Sequence, residues 1–287
     1  MKHVAFEALF CLCILAASGC QGPVEVTAQR GASGSRGPVE IIAHRGASYD
    51  APENTMASFR LGWQRHADVE LDVYLSKDNR MVVIHDASTK RTAGGVDLKV
   101  KESTADQLRA LDVGSFKGKE FAGERIPFLA EVVQAIPPKQ KLYIEIKCGK
   151  EILPALRQFL LEGGKMSQVV IIGFDLDTVA ESKKQIDVPT YWLKGTDKDK
   201  QTEQWIPHDP KLVQTAKDKG LDGLDVHFAG VTEELVRAAK AAGQKLYVWT
   251  VDDPAEARRL VRLGVAGITT NRPDWLREQL RDAKTAP

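Results

Sequence analysis

Apolar residues in this chain gather in short β-branched runs, separated by longer stretches where they recur at helical spacing. Eight runs read as strands: residues 41–43, 69–73, 142–146, 169–174, 190–193, 223–227, 245–251 and 266–270. Between them lie amphipathic stretches, among them 54–66, 152–161, 176–185, 232–242 and 254–263, several opened by Pro or by a capping Asn or Thr. Strands alternating with helices mean a parallel sheet with crossover helices. Eight such units, spread over a region close to the roughly 250 residues usual for the architecture, predict a single (β/α)8 TIM barrel of the α/β class.

One run breaks the alternation. Met81 to His85 follows the second strand too closely for a helix to intervene, so it reads as the returning arm of a hairpin. With Asp78-Asn79 as a two-residue turn, Ser76 would face Met81 and Asp72 would face His85. The stretch from Asp86 to Lys139 then becomes a small insertion after strand 2, over the barrel mouth, with one helix near 129–136.

The N-terminal region follows another pattern. Lys2 and His3 precede an apolar run from Ala8 to Ala17, and Ser18 and Gly19 lead into Cys20. The run is too short for the roughly twenty residues that span a bilayer. Residues 1–20 therefore read as an export signal, and Ala17-Ser18-Gly19-Cys20 resembles a bacterial lipobox in which Cys20 is lipidated. A cleaved soluble form and a buried helix are the alternatives. Residues 22–33, GPVEVTAQRGAS, nearly recur at 37–48 as GPVEIIAHRGAS, but only the second copy runs on into Pro52-Glu53-Asn54-Thr55 and an amphipathic segment. Residues 21–37 are thus a flexible tether and 38–287 the barrel domain. The expected location is the cell envelope, lipid-anchored to a membrane, with Gln21 after the cysteine compatible with outer-membrane sorting.

Charge narrows the partners. With 40 basic against 39 acidic residues, no net field favours nucleic acid. Cys148 is the one cysteine outside the first twenty residues, so the barrel holds no internal disulfide.

Chemistry in such a barrel belongs at the C-terminal ends of the strands. Those ends carry His44-Arg45, Glu70 with Asp72, His85-Asp86, and Glu145 with Lys147. Glu70 and Asp72 stand two apart on one strand and share a face. Three carboxylates on one rim repel, and a hard divalent cation, Ca²⁺ or Mg²⁺, is their natural counter-charge. Zinc suits this oxygen set less well. His44 and His85 suit acid and base roles, with neither role assignable to either. Arg45 and Lys147 suit a phosphate. Gly173-Phe174, Trp192 and Trp249-Thr250 bring aromatic faces toward the rim, with Phe174 and Trp249 as candidate pocket residues, and Lys194 and His227 could also face the site.

His44-Arg45-Gly46 with Pro52-Glu53-Asn54-Thr55, Glu70-Leu71-Asp72-Val73, Val82 to Asp86 with Arg91-Thr92, and Glu145-Ile146-Lys147 together resemble the glycerophosphodiester phosphodiesterase signature. The resemblance runs from about Ile41 to Pro273. It implies a (β/α)8 barrel, His44 and His85 as acid and base, Ca²⁺ or Mg²⁺ held by Glu70, Asp72 and Glu145, and phosphate met by Arg45 and Lys147. It implies hydrolysis of a glycerophosphodiester to glycerol 3-phosphate and an alcohol. Thr270-Asn271-Arg272-Pro273 resembles the family's last strand and loop, read here as structural. The rival readings are a lysophospholipase of D or C type on the same barrel, and a surface lipoprotein that binds phosphodiesters without cleaving them.

Overall fold

The computed structural model describes residues 39–282. The export signal, Cys20, the tether and the first copy of the repeat lie outside the described residues. Among the described residues nine strands form: β1 (Glu40–Ala43), β2 (Asp68–Leu75), β3 (Met81–Val83), β4 (Leu142–Ile146), β5 (Val169–Gly173), β6 (Thr190–Lys194), β7 (Gly223–His227), β8 (Lys245–Trp249) and β9 (Gly267–Thr270). All but β3 run parallel, and β1 pairs with both β9 and β2, so the sheet closes on itself as the predicted eight-stranded barrel. The helices are α1 (Met56–Gln64), α2 (Ala105–Arg109), α3 (Leu129–Ala135), α4 (Leu153–Gly163), α5 (Leu176–Gln185), α6 (Lys211–Asp218), α7 (Glu233–Ala242), α8 (Pro254–Leu263) and α9 (Pro273–Asp282).

Strand alternation sorts the side chains. Val69, Leu71 and Val73 of β2 and Leu142, Ile144 and Ile146 of β4 pack outward with Leu156, Leu235 and Leu260 of the helices in the main core. Ile42, Tyr143, Val170, Ile172, Tyr191, Leu193 and Tyr247 point inward and form a separate cluster that fills the barrel. Each fully buried aliphatic side chain contributes about 1.5–3 kcal/mol, so this two-sided burial holds the helices to the sheet. Helix starts are fixed locally: Thr55 caps α1, Asp175 caps α5 and Asp253 caps α8, each accepting from a backbone N–H of the first turn. Gly243 and Gly264, both left-handed, end α7 and α8.

The hairpin is real, but its register is one residue off the expected one. Leu75 pairs with Met81 and Val73 with Val83, and Ser76 N donates to Arg80 O at 2.9 Å. The turn therefore holds three residues, Lys77, Asp78 and Asn79, with Asn79 left-handed at φ 58°. Asp72 faces Ile84, whose N–H donates to Asp72 O at 3.0 Å, and His85 lies one residue beyond. The insertion carries its own small core, in which Val82 and Ile84 of the arm meet Val100, Leu108, Val113 and Ile126.

The N-terminal end of the barrel is closed by polar groups in balance. Glu40 accepts from Lys141 Nζ at 3.1 Å and Tyr143 Oη at 3.1 Å on one oxygen, and from Lys245 Nζ at 3.3 Å and Tyr247 Oη at 3.2 Å on the other. Burial pushes the Glu40 carboxyl up, but the two lysines and the hydroxyl contacts outweigh it and hold Glu40 below its ordinary value.

Candidate active site

The opposite rim is assembled from the first turn after β1. Arg45 adopts left-handed geometry at φ 53°, and Gly46 follows at φ +80°. A Cβ on Gly46 would fall 2.4 Å from Ser58 Oγ, so only glycine lets this turn lie against α1. The turn aims the Arg45 backbone N–H at Glu70 Oε2, 2.7 Å away. Asn54, also left-handed, pins the neighbouring acid: its Nδ2 donates to Asp72 Oδ2 at 2.8 Å, and its Oδ1 accepts from Asp72 N at 3.2 Å.

Glu70, Asp72 and Glu145 are all buried, and each offers an oxygen within 4.8 Å of the others. β2 and β4 are adjacent and in register at Asp72 and Glu145, which brings the third acid beside the first two. Lys147 Nζ donates to Glu145 Oε1 at 2.7 Å and lies 3.5 Å from Asp72 Oδ1. Arg45 Nε lies 3.4 Å from Asp72 Oδ2. Two cations do not satisfy three acids. Asp72 Oδ1 is buried without a hydrogen-bond partner. Burial, then the charges of Asp72 and Glu145, push Glu70 well above the ordinary carboxylate range. Burial and Asp72 together push Glu145 up to about 7, against the pull of Lys147. An orphaned oxygen within an all-oxygen acidic trio fits a hard divalent cation, so these three residues could hold one.

The two imidazoles face the same cleft, with Arg45, Glu70, Glu145, Lys147, Phe174 and Trp249 around them. It encloses about 440 Å³, solvent at its mouth included. Asp72 lies just beneath this lining, 1% exposed. The histidines have different partners. His44 Nδ1 meets Asn271 Oδ1 at 2.8 Å. Asn271 cannot be turned around, because its Nδ2 donates to Asp252 Oδ2 at 2.6 Å and its backbone N donates to Asp252 Oδ1 at 2.9 Å. An amide oxygen only accepts, so His44 Nδ1 carries the proton and Nε2 keeps its lone pair. Burial, with Arg45 beside it, lowers His44 to about 4, so the ring is neutral at ordinary pH.

His85 instead puts Nδ1 2.6 Å from the Asp86 carboxylate. Asp86 is held in turn by Arg91, whose Nε donates to Asp86 Oδ2 at 2.7 Å and whose NH1 donates to Glu53 Oε2 at 2.6 Å. Glu53 closes the row by accepting from Arg45 NH1 at 2.9 Å. Burial pushes Glu53 up, but the hydrogen bonds from Arg91 and the charge of Arg45 outweigh it and hold it at about 2; at Asp86 the hydrogen bonds from Arg91 come first and hold it at about 2. Each imidazole is thus fixed through Nδ1, His44 by an amide oxygen and His85 by a carboxylate, which leaves both Nε2 atoms to the cleft.

The aromatic expectations divide. Phe174 and Trp249 meet edge to face at the cleft, centroids 5.5 Å apart. Trp192 does not reach the cleft: Tyr191 and Leu193 take the inward positions, and Trp192 packs in the outer core with Nε1 donating to Phe174 O. Lys194 is exposed and lies over the Trp192 ring. His227 lies tilted against Trp205 and edge to face with Trp249, and is not part of the cleft lining. Sequence reasoning missed the positioning role of Asn271 and Asp252, and it missed Asp225, which lies at the floor. Asp225 carried a readable signal, since Leu224-Asp225-Val226 repeats the apolar, acid, apolar alternation of Leu71-Asp72-Val73.

Comparison with known proteins places the chain in a family. Residues 44–275 match the glycerophosphoryl diester phosphodiesterase family model. The chain belongs to the glycerophosphoryl diester phosphodiesterase family. With the family comes the enzyme class, a phosphodiesterase. A glycerophosphodiester phosphodiesterase of Caldanaerobacter subterraneus subsp. tengcongensis is 35% identical over 238 residues, covering 80% of this chain and 92% of that one. An Oleispira antarctica phosphodiesterase, solved with its product sn-glycerol-3-phosphate, superposes with a TM-score of 0.73 at 27% identity, covering 84% of this chain and 96% of that one. The Thermotoga maritima glycerophosphodiester phosphodiesterase gives 0.67 at 28% identity, over 84% and 98%.

Proposed function

We propose that this phosphodiesterase hydrolyses glycerophosphodiesters to glycerol 3-phosphate and an alcohol, with the help of a divalent cation, Ca²⁺ or Mg²⁺. The observation that carries the reading is the meeting, in one cleft, of two differently partnered imidazoles, an acidic trio and two cations. Arg45 and Lys147 hold the phosphodiester, Arg45 by its planar fork and Lys147 as a point charge. His44, neutral with a free Nε2, takes the proton of the attacking oxygen. His85, oriented through Nδ1 by Asp86, gives a proton to the departing alcohol oxygen. Each such transfer contributes about 10²–10⁴-fold. A divalent cation held by Glu70, Asp72 and Glu145 would supply Lewis-acid polarisation and neutralise the charge that builds on the phosphoryl oxygens. The attacking oxygen is water or the glycerol hydroxyl next to the ester, and the same two imidazoles serve either.

A binder without activity would have no need of both imidazoles, which favours hydrolysis over capture. The test is release of glycerol 3-phosphate from glycerophosphocholine by metal-stripped protein. Turnover is expected on adding millimolar Ca²⁺ or Mg²⁺ and is expected to stop on chelation; no release with either ion present would favour the binding protein. We further propose that Cys20 is lipidated and tethers the enzyme to the cell envelope. Wild type is then expected in the membrane fraction, and Cys20→Ser in the soluble one.

A further inference from the structure

Asp225 takes no part in the chemistry above, and its surroundings do not explain it. It sits on β7, points into the barrel beneath the cleft, and is 2% exposed. Ile172 and Leu193, from the two preceding strands, are the aliphatic part of the cleft lining, and neither offers it a hydrogen bond. Its Oδ1 has no hydrogen-bond partner. An unsatisfied buried acid costs about 1–3 kcal/mol, and an aliphatic residue would complete the inward cluster at this position without that cost. An acid kept there without a protein partner is set up for a partner that arrives with the ligand.

The cleft indicates which part of a phosphodiester that partner is. Arg45 and Lys147 lie among the residues that meet at the rim, so phosphate is held there, and an acid is the wrong neighbour for its oxygens. The two ends of the substrate also differ in size. The leaving alcohol varies in length and must pass out through the open mouth, whereas glycerol is small and constant and suits the closed end. Its outermost hydroxyl is then the group nearest the floor.

We propose that Asp225 is the specificity-determining residue of this enzyme: its carboxyl hydrogen-bonds the glycerol hydroxyl farthest from phosphorus and so selects glycerol esters over esters of alcohols lacking that hydroxyl. This rests on the hydrolase reading above. A site built to bond a hydroxyl rejects the analogue that lacks it far more strongly than an apolar pocket does, because the buried group is left unpaired.

The experiment compares kcat/KM, by choline release, for glycerophosphocholine and for the analogue in which propane-1,2-diol replaces glycerol. That analogue keeps the hydroxyl next to the ester. Wild type is expected to prefer the glycerol ester by at least about 10². Asp225→Asn keeps most of that preference, and Asp225→Leu reduces it to less than about tenfold while its melting temperature is not lowered. Asp225→Ala, too short to reach the hydroxyl, gives the same readout should the leucine variant not fold. A wild type without preference, or apolar variants that keep it, overturns the assignment alone. A wild type that hydrolyses neither ester overturns the hydrolase reading together with it.

Discussion

The two ends of the barrel interior handle buried charge in opposite ways. At the N-terminal floor one carboxylate, Glu40, is shared by two lysines and two tyrosines, and every contact lies between 3.1 and 3.3 Å. At the C-terminal rim three carboxylates face one lysine and one arginine, and the arginine is also engaged by Glu53. The floor acid is held below its ordinary value, while Glu70 and Glu145 at the rim are driven above theirs. Both ends belong to the same strands with the same alternation. What differs is whether the chain supplies enough opposite charge, and that deficit separates the end that stabilises from the end that awaits a ligand.

Loss of a rim imidazole has the most severe consequence. His44→Ala and His85→Ala should each lower kcat by about 10²–10⁴-fold with little change in melting temperature, read by product release and thermal denaturation. Full activity in both would remove the rim's claim to the chemistry. At the floor the expected pattern is reversed. Glu40→Gln leaves the buried Tyr143 and Tyr247 hydroxyls poorly partnered and should cost about 1–3 kcal/mol in urea unfolding, while turnover per folded molecule stays unchanged. A loss of turnover without loss of stability there would dissolve the distinction.

Smaller effects sharpen it. Asn271→Ala removes the acceptor that fixes the His44 tautomer without touching substrate, and should lower kcat by about tenfold with KM nearly constant. The rate should also respond differently to acid, because a ring freed from Asn271 no longer holds its proton on Nδ1; an unchanged pH profile would reduce Asn271 to a structural role. The smallest effect lies in pH itself. In metal-free protein the native state keeps a proton on Glu145 up to about 7, whereas the unfolded chain loses it in the ordinary carboxylate range. Between those values the native state binds more protons, so this group's contribution falls as pH rises from about 4.5 to about 7, a trend that melting curves with chelator would show.

Much of this was legible in the sequence because alternation in a strand is a local signal. Glu70, Asp72 and Glu145 each stand between apolar neighbours, and parity alone puts them inside the barrel. The same parity, applied with care, places Trp192 outside and Asp225 inside. The hairpin failed for a local reason: Ser76 Oγ donates to Asp78 Oδ1 and accepts from Arg80 N, which stabilises a three-residue turn that residue types alone do not distinguish from a two-residue one. His85 reaches the cleft even so, since it lies beyond the last paired residues of the arm. Asn271 and Asp252 were not legible as partners of His44, because more than two hundred residues separate them from it and closure of β1 against β9 is what brings them together.

The rim supplies less positive charge than its three acids require, a deficit that a divalent cation fills, whereas the floor has no such deficit. Calorimetric titration of Ca²⁺ or Mg²⁺ into metal-stripped wild type, Glu145→Gln and Glu40→Gln tests it most directly. At pH 8 one cation per chain is expected for wild type and for Glu40→Gln, and binding at least about tenfold weaker for Glu145→Gln. Wild-type affinity is expected to weaken by about tenfold per pH unit below about 7, as a proton competes for Glu145. No binding by wild type, or a site indifferent to Glu145, would contradict it.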